Sequence, residues 1–303
     1  MLLTAEAAPP GRRGFFTSFV QLGSPAAYLI PTALFAVLDA QLSDEQFLTW
    51  GWRVPFLLSA IVVAIGLYIR LRVPESATFR AVKEQQPARS PISTLLKEHR
   101  GEVVGGMLTK FVEAAVFPFY TIFLVSYARS QGVDTGIVLD AVIIAIVAEL
   151  VLLPLIGRLT DRVGRRPVYL AAAVLNLVLV VPAFLAVQTG NLVVITLLLI
   201  AGLALGHGGT YAPQASYFPE LFPSSARYTG VSIVWQFGAM LASGPFTVVA
   251  AALLVAGDGA FTWVAVYVGA LILVSILALL KMPETAPALR GGREYADWAG
   301  ETT

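Results

Sequence analysis

Eight long runs of apolar residues divide the chain, and polar residues collect between them. A helix that crosses a bilayer needs about 20 apolar residues, because backbone groups in lipid must hydrogen-bond within their own segment. The runs are continuous, as in 145–155 and 192–205, whereas barrel strands alternate polar and apolar positions. The pattern therefore predicts an all-α, polytopic membrane protein. The predicted spans are 15–38, 53–73, 101–128, 137–158, 167–187, 192–218, 230–256 and 262–282.

The composition supports this prediction and excludes several classes of protein. Hydrophobic residues make up 57% of the 303 residues, charged residues only 13%, and the mean hydropathy is +0.77. A soluble domain carries about 25% charged residues, so a water-soluble globule is excluded. The formal net charge of +1 gives no field that would attract nucleic acid, which we exclude as a partner.

The distribution of basic residues predicts the orientation in the membrane. Of the 20 lysines and arginines, only Arg53 and Arg129 lie at one set of helix ends, and Lys110 lies inside a span. All the others collect at the opposite ends. Basic residues accumulate on the cytoplasmic side of membrane proteins, so we expect both termini in the cytoplasm and a multi-pass location in the plasma (inner) membrane.

An internal repeat relates the first two spans to the last two. The pattern Glu6-x-x-Pro9-x-x-x-Arg13 recurs as Glu220-x-x-Pro223-x-x-x-Arg227. The four middle spans have no counterpart, although transporters are often built from two parallel six-helix halves. Our hypothesis is that the chain is an N-terminally truncated twelve-helix protein, or follows a mis-assigned start codon, and lacks about four helices upstream. The predicted organisation is a two-helix remnant of an N-terminal half (1–73), a cytoplasmic linker (74–100), a C-terminal six-helix half (101–285) and a cytoplasmic tail (286–303).

The segment between the fourth and fifth spans carries a dense motif, GRLTDRVGRRP, at 157–167. A plain interpretation is a cytoplasmic loop that obeys the positive-inside rule. The motif also resembles the loop signature of the major facilitator superfamily, G-x-L-x-D-R-x-G-R-R. The matching residues that carry charge or permit tight turns are Gly157, Asp161, Arg162, Gly164, Arg165 and Arg166.

Further segments narrow the resemblance to the metabolite:proton symporter family, which includes proline/betaine, shikimate, α-ketoglutarate and citrate carriers. These segments are 10–15 (PGRRGF), 51–56 (GWRVPF), 211–215 (YAPQA) and 220–223 (ELFP). The likeness covers about residues 1–285 and corresponds to the fifth through twelfth family helices, which places Met1 inside the fourth. It implies proton-coupled uptake of a small anionic or zwitterionic metabolite, and a monomer if the protein is full length.

The same resemblance implies a cytoplasmic gate. In the family's rocking mechanism, we expect Asp161 and its neighbouring arginines to pair with the turn that begins the equivalent helix of the other half. The candidates at those turns are Glu6 with Arg13, and Glu220 with Arg227. The alternative is that these charges serve only topology and solubility.

Ionisable residues inside the spans are candidates for the substrate and proton pathway, because a charge at the bilayer centre costs about 2.5–3.5 kcal/mol on insertion scales. Lys110 and Glu113 lie three residues apart and can therefore form a pair. In one interpretation Lys110 attracts a substrate carboxylate and Glu113 exchanges a proton. In the other, the two charges only neutralise each other. Tyr120 continues the Glu113 stripe. Glu149 has no local basic partner and is either the proton-coupling acid or a buried neutral acid.

A second polar stripe follows the sixth span. His207, Tyr211 and Gln214 share one face at 100° per residue, and Gln236 lies on a stripe of the seventh span. His207 is interpreted as a proton relay or as a histidine with satisfied hydrogen bonds. We expect these residues to line one central site.

These observations predict a secondary active transporter: proton-coupled symport of a small organic acid or compatible solute by alternating access, with the lipid bilayer as its surroundings. An inactive membrane fragment or helix-interaction partner, and a superfamily transporter of sugars, remain the alternatives. With no cysteine and only two histidines we find no metal cluster, no catalytic triad and no cofactor, so an enzyme is not predicted.

Overall fold

The computed structural model describes residues 1–9, 11–72 and 91–286. The described residues are almost entirely helical. The predicted tail from 287 onward and the linker up to residue 90 lie outside them. The helices are α1 (Leu2–Ala7), α2 (Arg13–Gln21 and Gly23–Gln41), α3 (Asp44–Gln46, Phe47–Gly51 and Arg53–Arg72), α4 (Pro91–Glu98), α5 (Arg100–Ser130), α6 (Thr135–Val163), α7 (Arg165–Gln188), α8 (Leu192–Glu220), α9 (Arg227–Ala256) and α10 (Thr262–Lys281).

Eight of these helices, α2, α3 and α5–α10, are long and apolar enough to cross a membrane. This confirms the predicted fold class and the number of spans among the described residues. Two segments that separate the predicted spans are more helical than their composition suggests. Asp44–Gln46 and Phe47–Gly51 continue into α3, where the Ser43 side chain accepts a hydrogen bond from the Gln46 N–H and begins the helix.

The segment 157–167 is not a loop. Gly157 to Val163 belong to α6, Arg165 begins α7, and only Gly164 interrupts the helices. Gly164 has φ 112° and ψ 157°, a conformation that residues with a Cβ rarely adopt. One glycine therefore reverses the chain direction and lets the charged side chains on both sides stand on rigid helices.

Replacing Gly164 by alanine is expected to destabilise the protein by about 1–3 kcal/mol, the cost of holding a Cβ in this backbone region. The thermal unfolding midpoint in detergent measures the effect. Gly244→Ala is the matched control, because a Cβ at Gly244 in α9 meets nothing within 4 Å and should slightly favour the helix. Equal midpoints for the two variants would contradict the prediction.

Packing divides the helices into a bundle and an exposed pair. α5 packs against α9 and α10, α7 packs against α8 and α10, and α6 packs against α8. Aromatic side chains such as Phe119, Phe184 and Phe246 fill the core between them. α2 is attached to this bundle through α6 and α8, whereas the most apolar 18-residue stretch of α3 has no buried residue.

The contact between α2 and α6 depends on glycine. A Cβ on Gly157 of α6 would lie 2.5 Å from the Gly14 carbonyl oxygen and 2.6 Å from the Ser18 side chain. Small residues let helix backbones approach closely in membranes. We call the end of the bundle where this contact lies the basic end, since Arg12, Arg158 and Arg165 stand there.

Three of the described helices widen locally: α3 at Phe47–Gly51, and two helices of the bundle. Phe119–Phe123 of α5 and Ile200–His207 of α8 have i→i+5 hydrogen bonding, which is frequent at functional sites. The two wide segments face each other, because a Cβ on Gly202 would lie 2.5 Å from the Tyr120 ring.

Candidate functional site

A cluster of four ionisable side chains lies buried in the middle of the bundle. Lys110 and Glu113 are one turn apart on α5 and form an ion pair. Both are nearly inaccessible, with exposed fractions of 2% and 8%. A buried charge pair is retained only where its hydrogen bonds are satisfied, so the surroundings of this pair decide what it can do.

The imidazole of His207 joins Glu113 to a second acid. Its Nδ1 lies 2.6 Å from Oε1 of Glu149 on α6, and its Nε2 lies 3.6 Å from Oε1 of Glu113. His207 is 1% exposed and Glu149 is fully buried. The structure thus supplies Glu149, which has no basic partner on its own helix, with a partner on α8. We call Glu113, His207 and Glu149 the acid–histidine relay.

Polar and aromatic groups from three further helices surround the Lys110 ammonium. Gln214 of α8 accepts its hydrogen bond through Oε1 at 2.9 Å and donates from Nε2 to the Tyr169 hydroxyl of α7 at 2.8 Å. The Lys110 nitrogen lies 4.0 Å from the ring centroid of Trp235 on α9. The Tyr211 ring stacks on His207 at 5.2 Å. The ammonium therefore has both hydrogen-bond and cation–π partners.

Not every predicted pathway residue joins this cluster. The Tyr120 hydroxyl donates to Oδ1 of Asn176 on α7 at 3.3 Å, and its ring packs on Gly202. Gln236 is exposed on α9. Its neighbour Trp235 contacts Lys110 instead, because two consecutive positions on a helix point about 100° apart.

The geometry of the three relay groups permits proton transfer between them. Imidazole donates from one ring nitrogen and accepts at the other, so it can pass a proton between two carboxylates that it contacts on opposite sides. Lys110 supplies a cation that forms an ion pair with Glu113. The four groups carry a balanced charge when His207 is protonated and a single negative charge when it is neutral.

A second constellation lies at the basic end and links α2 to α6. Asp161 of α6 accepts hydrogen bonds from the backbone N–H groups of Gly14 at 2.8 Å and Phe15 at 2.9 Å, where α2 begins. It also binds Nη1 of Arg165 at 2.7 Å. The carboxylate thereby satisfies two unpaired N–H groups of a helix N-terminus and complements its dipole.

Arg165 extends this constellation to α8 and to the segment after α10. Its Nη2 lies 3.4 Å from Oε1 of Glu220, and Oε2 of Glu220 accepts from the Thr285 hydroxyl at 2.6 Å. Glu284 caps α7 by accepting from the N–H groups of Arg165 and Arg166, each at 2.9 Å. The Arg165 side chain is 1% exposed, and it is held by Asp161, Glu220 and the Thr160 hydroxyl.

A neighbouring pair closes the turn before α9. Nη1 of Arg227 lies 3.5 Å from Oε1 of Glu6 in α1, and its Nε donates to the carbonyl groups of Pro219 and Phe222. Arg13 is buried at the start of α2. Glu6 of the first repeat copy therefore pairs with Arg227 of the second, which joins the two candidate turns.

The sequence did not single out several residues that complete these two constellations. Tyr169 and Trp235 are aromatic residues within apolar spans and resemble ordinary core. Glu284 stands in the segment 281–285 (KMPET) after the last span, which matches 72–76 (RVPES) after the second span, so this match was the signal that could have identified it.

Comparison with known proteins shows the family. The sequence profile of the Major Facilitator Superfamily matches residues 1–243 and 104–299. The inner membrane metabolite transport protein YhjE of Escherichia coli K12 is 34% identical over 292 residues, covering 94% of this chain and 66% of that protein. The shikimate transporter of the same strain is 29% identical, covering 95% and 66%. The chain spans about two thirds of the length of these curated relatives.

A solved structure shares the fold. A double-tryptophan mutant of XylE superposes with a TM-score of 0.74 at 20% identity, covering 95% of this chain and 68% of that one.

Proposed function

Because the chain belongs to the Major Facilitator Superfamily, we propose that it mediates secondary active transport and couples the uptake of a small metabolite to protons. The observation that carries this proposal is the acid–histidine relay buried beside Lys110 in the middle of the bundle. Intramembrane ionisable groups that pair with one another mark substrate and proton routes in transporters. Glu113 belongs both to this proposed proton route and to the ion pair with Lys110.

We assign proton coupling to the relay. Glu149 takes up a proton, His207 passes it, and Glu113 receives it as its ion pair with Lys110 breaks. A substrate carboxylate then replaces Glu113 on the Lys110 ammonium, so that the buried charge stays balanced. Protonation of Glu113 frees the Lys110 ammonium for the substrate, and the substrate carboxylate replaces the charge that Glu113 loses. Proton binding and substrate binding are therefore linked.

The proposed substrate class is a small organic acid or compatible solute. Lys110 would hold its carboxylate, Gln214 and Tyr169 would hydrogen-bond it, and the Trp235 ring would cover its apolar part. The names of two relatives, a metabolite transport protein and a shikimate transporter, agree with this class.

The contact at the basic end is proposed to act as the gate. Asp161 closes α2 on α6, and Arg165 ties α6 to α8 through Glu220. Breaking these bonds would let α2 move away from α6 and admit water to the buried cluster. We place this gate at the cytoplasmic side of the plasma membrane with both termini in the cytoplasm, since basic ends face that way.

Uptake by proteoliposomes that contain the chain tests the function. An inward proton gradient should drive accumulation of some members of a panel of carboxylates, betaines and sugars, and collapsing the gradient should stop it. Absence of flux for the whole panel would support the inactive-fragment alternative. Uptake of sugars alone would place the substrate in another class.

Lys110→Gln is expected to remove the preference for carboxylates, raising the half-saturating concentration of a transported acid by about ten-fold or more. A charge-assisted hydrogen bond contributes about 1.5–3 kcal/mol, and every 1.4 kcal/mol is ten-fold. Lys281→Gln is the control, because that lysine is exposed at the end of α10. Unchanged half-saturation in Lys110→Gln would exclude the lysine as the carboxylate site.

A further inference from the structure

A cavity of about 420 Å³ opens at the basic end between α2 and α6. Arg12 lines it from the start of α2, and Arg158 and Arg162 line it from successive turns of α6. All three arginines are exposed. Asp161 is the one acid among the described residues that line it, and its oxygens are already bound by two backbone N–H groups and Arg165. The cavity is thus lined by three arginines and by one carboxylate that three other donors already share.

Within the described part of the chain, none of these three arginines forms an ion pair with an acidic side chain. Closing α2 on α6 brings Arg12 toward the two arginines of α6. Like charges repel at this range. An anion with several oxygens would remove the repulsion, because the guanidinium fork binds phosphate oxygens in pairs.

Next to the cavity, the surfaces of α2 and α6 are apolar. Phe15 lines the cavity, and Phe19 follows one turn later on α2 with 49% of its surface exposed. On α6, Leu155 is 55% exposed. Leu155 lies two turns before Arg162 on almost the same face, since seven residues rotate a helix by about 700°. A cationic cavity large enough to admit a phosphate group therefore adjoins an apolar, outward-facing surface.

We propose that this arginine cavity binds the headgroup of an anionic phospholipid whose acyl chain lies along Phe19 and Leu155. The bound phosphate bridges Arg12 to Arg158 and Arg162, and so stabilises the closed contact of α2 with α6. Free phosphate offers the same headgroup chemistry, but it leaves the adjoining apolar surface without a partner. This site is separate from the buried cluster, and its test does not depend on transport.

The experiment follows thermal unfolding of the full chain in neutral detergent micelles. Phosphatidylglycerol or phosphatidylcholine with the same acyl chains is added at increasing mole fraction. Phosphatidylglycerol should raise the unfolding midpoint of the wild type saturably, and phosphatidylcholine should not. In Arg12→Gln/Arg158→Gln, half-saturation should need about 25-fold more phosphatidylglycerol, at about five-fold for each basic residue.

Arg53→Gln/Arg129→Gln is the matched control, because it removes two exposed arginines from the opposite end. It should respond as the wild type does. The cavity variant should also unfold no earlier than the wild type in phosphatidylcholine, since it loses repulsion, and this separates lost lipid binding from misfolding. Equal phosphatidylglycerol responses in the cavity and control variants, or no response in the wild type, would overturn the site. Equal stabilisation by inorganic phosphate would overturn its assignment to a lipid.

Discussion

Glu149→Gln is expected to abolish proton-driven accumulation while it leaves substrate exchange intact. The amide oxygen can still accept a hydrogen bond from Nδ1 of His207, which lies 2.6 Å from Glu149, but the amide takes up no proton. With a gradient of one pH unit, a carrier that moves one proton with its substrate concentrates the substrate about ten-fold, because one unit corresponds to 1.36 kcal/mol. The variant should equilibrate the substrate without concentrating it.

Two assays on the same proteoliposomes measure this difference. Accumulation under a proton gradient reports coupling, and counterflow at equal pH on both sides reports substrate exchange alone. Asp140→Asn is the control, since Asp140 is an exposed acid on the same helix. Accumulation at the wild-type level in Glu149→Gln would exclude the relay as the coupling path. Loss of counterflow as well would indicate a structural role for Glu149.

Asp161→Asn is expected to abolish transport in a protein that still inserts and folds. The carboxylate accepts from the Gly14 and Phe15 N–H groups and from Arg165. Asparagine has only one acceptor oxygen. Its amide N–H₂ group would replace the other carboxylate oxygen and face an N–H donor instead of accepting from it. Losing even one charge-assisted bond costs about 1.5–3 kcal/mol, which shifts a closed-to-open equilibrium by about ten-fold to a hundred-fold.

The absence of cysteine makes the shift measurable. Ser18 is fully buried beside Gly157 in the closed contact, so Ser18→Cys introduces a single thiol whose alkylation reports opening. The alkylation rate should rise about ten-fold or more when Asp161→Asn is added. Asp258→Asn, an exposed position at the opposite end, should leave the rate unchanged. Protection of the thiol in the Asp161 variant would contradict the gate.

The sequence predicted the helices well, because length and apolarity alone decide which segments span a bilayer. It predicted the start and end of the charged segment 157–167 poorly. Arginines and glycines suggested a loop there, yet Arg158 and Arg162 are held in α6 and the reversal needs only Gly164. Local composition does not show that a helix continues through such a segment, because the residues that bind its side chains lie far away in the sequence.

The two constellations show the same limit. The spacing of Lys110 and Glu113 predicted their contact, because residues three apart on a helix are neighbours. No spacing rule connects Glu149 to His207, which are 58 residues apart, or Arg165 to Glu220, which are 55 apart. Such pairs depend on how whole helices pack. Pattern analysis identified their members as candidates but did not assign their partners.

The wide segments of α5 and α8 bear on the proposed proton route. A segment with i→i+5 bonding holds one residue more than an ordinary α-helical segment, and such segments are frequent at functional sites. His207 ends the wide segment of α8. Migration of the surplus past His207 would rotate its imidazole by about 100°, since each residue turns the helix by that angle. The ring would then leave the line between the two acids. In the proposed mechanism, such a change of helical phase would interrupt proton passage without displacement of any whole helix.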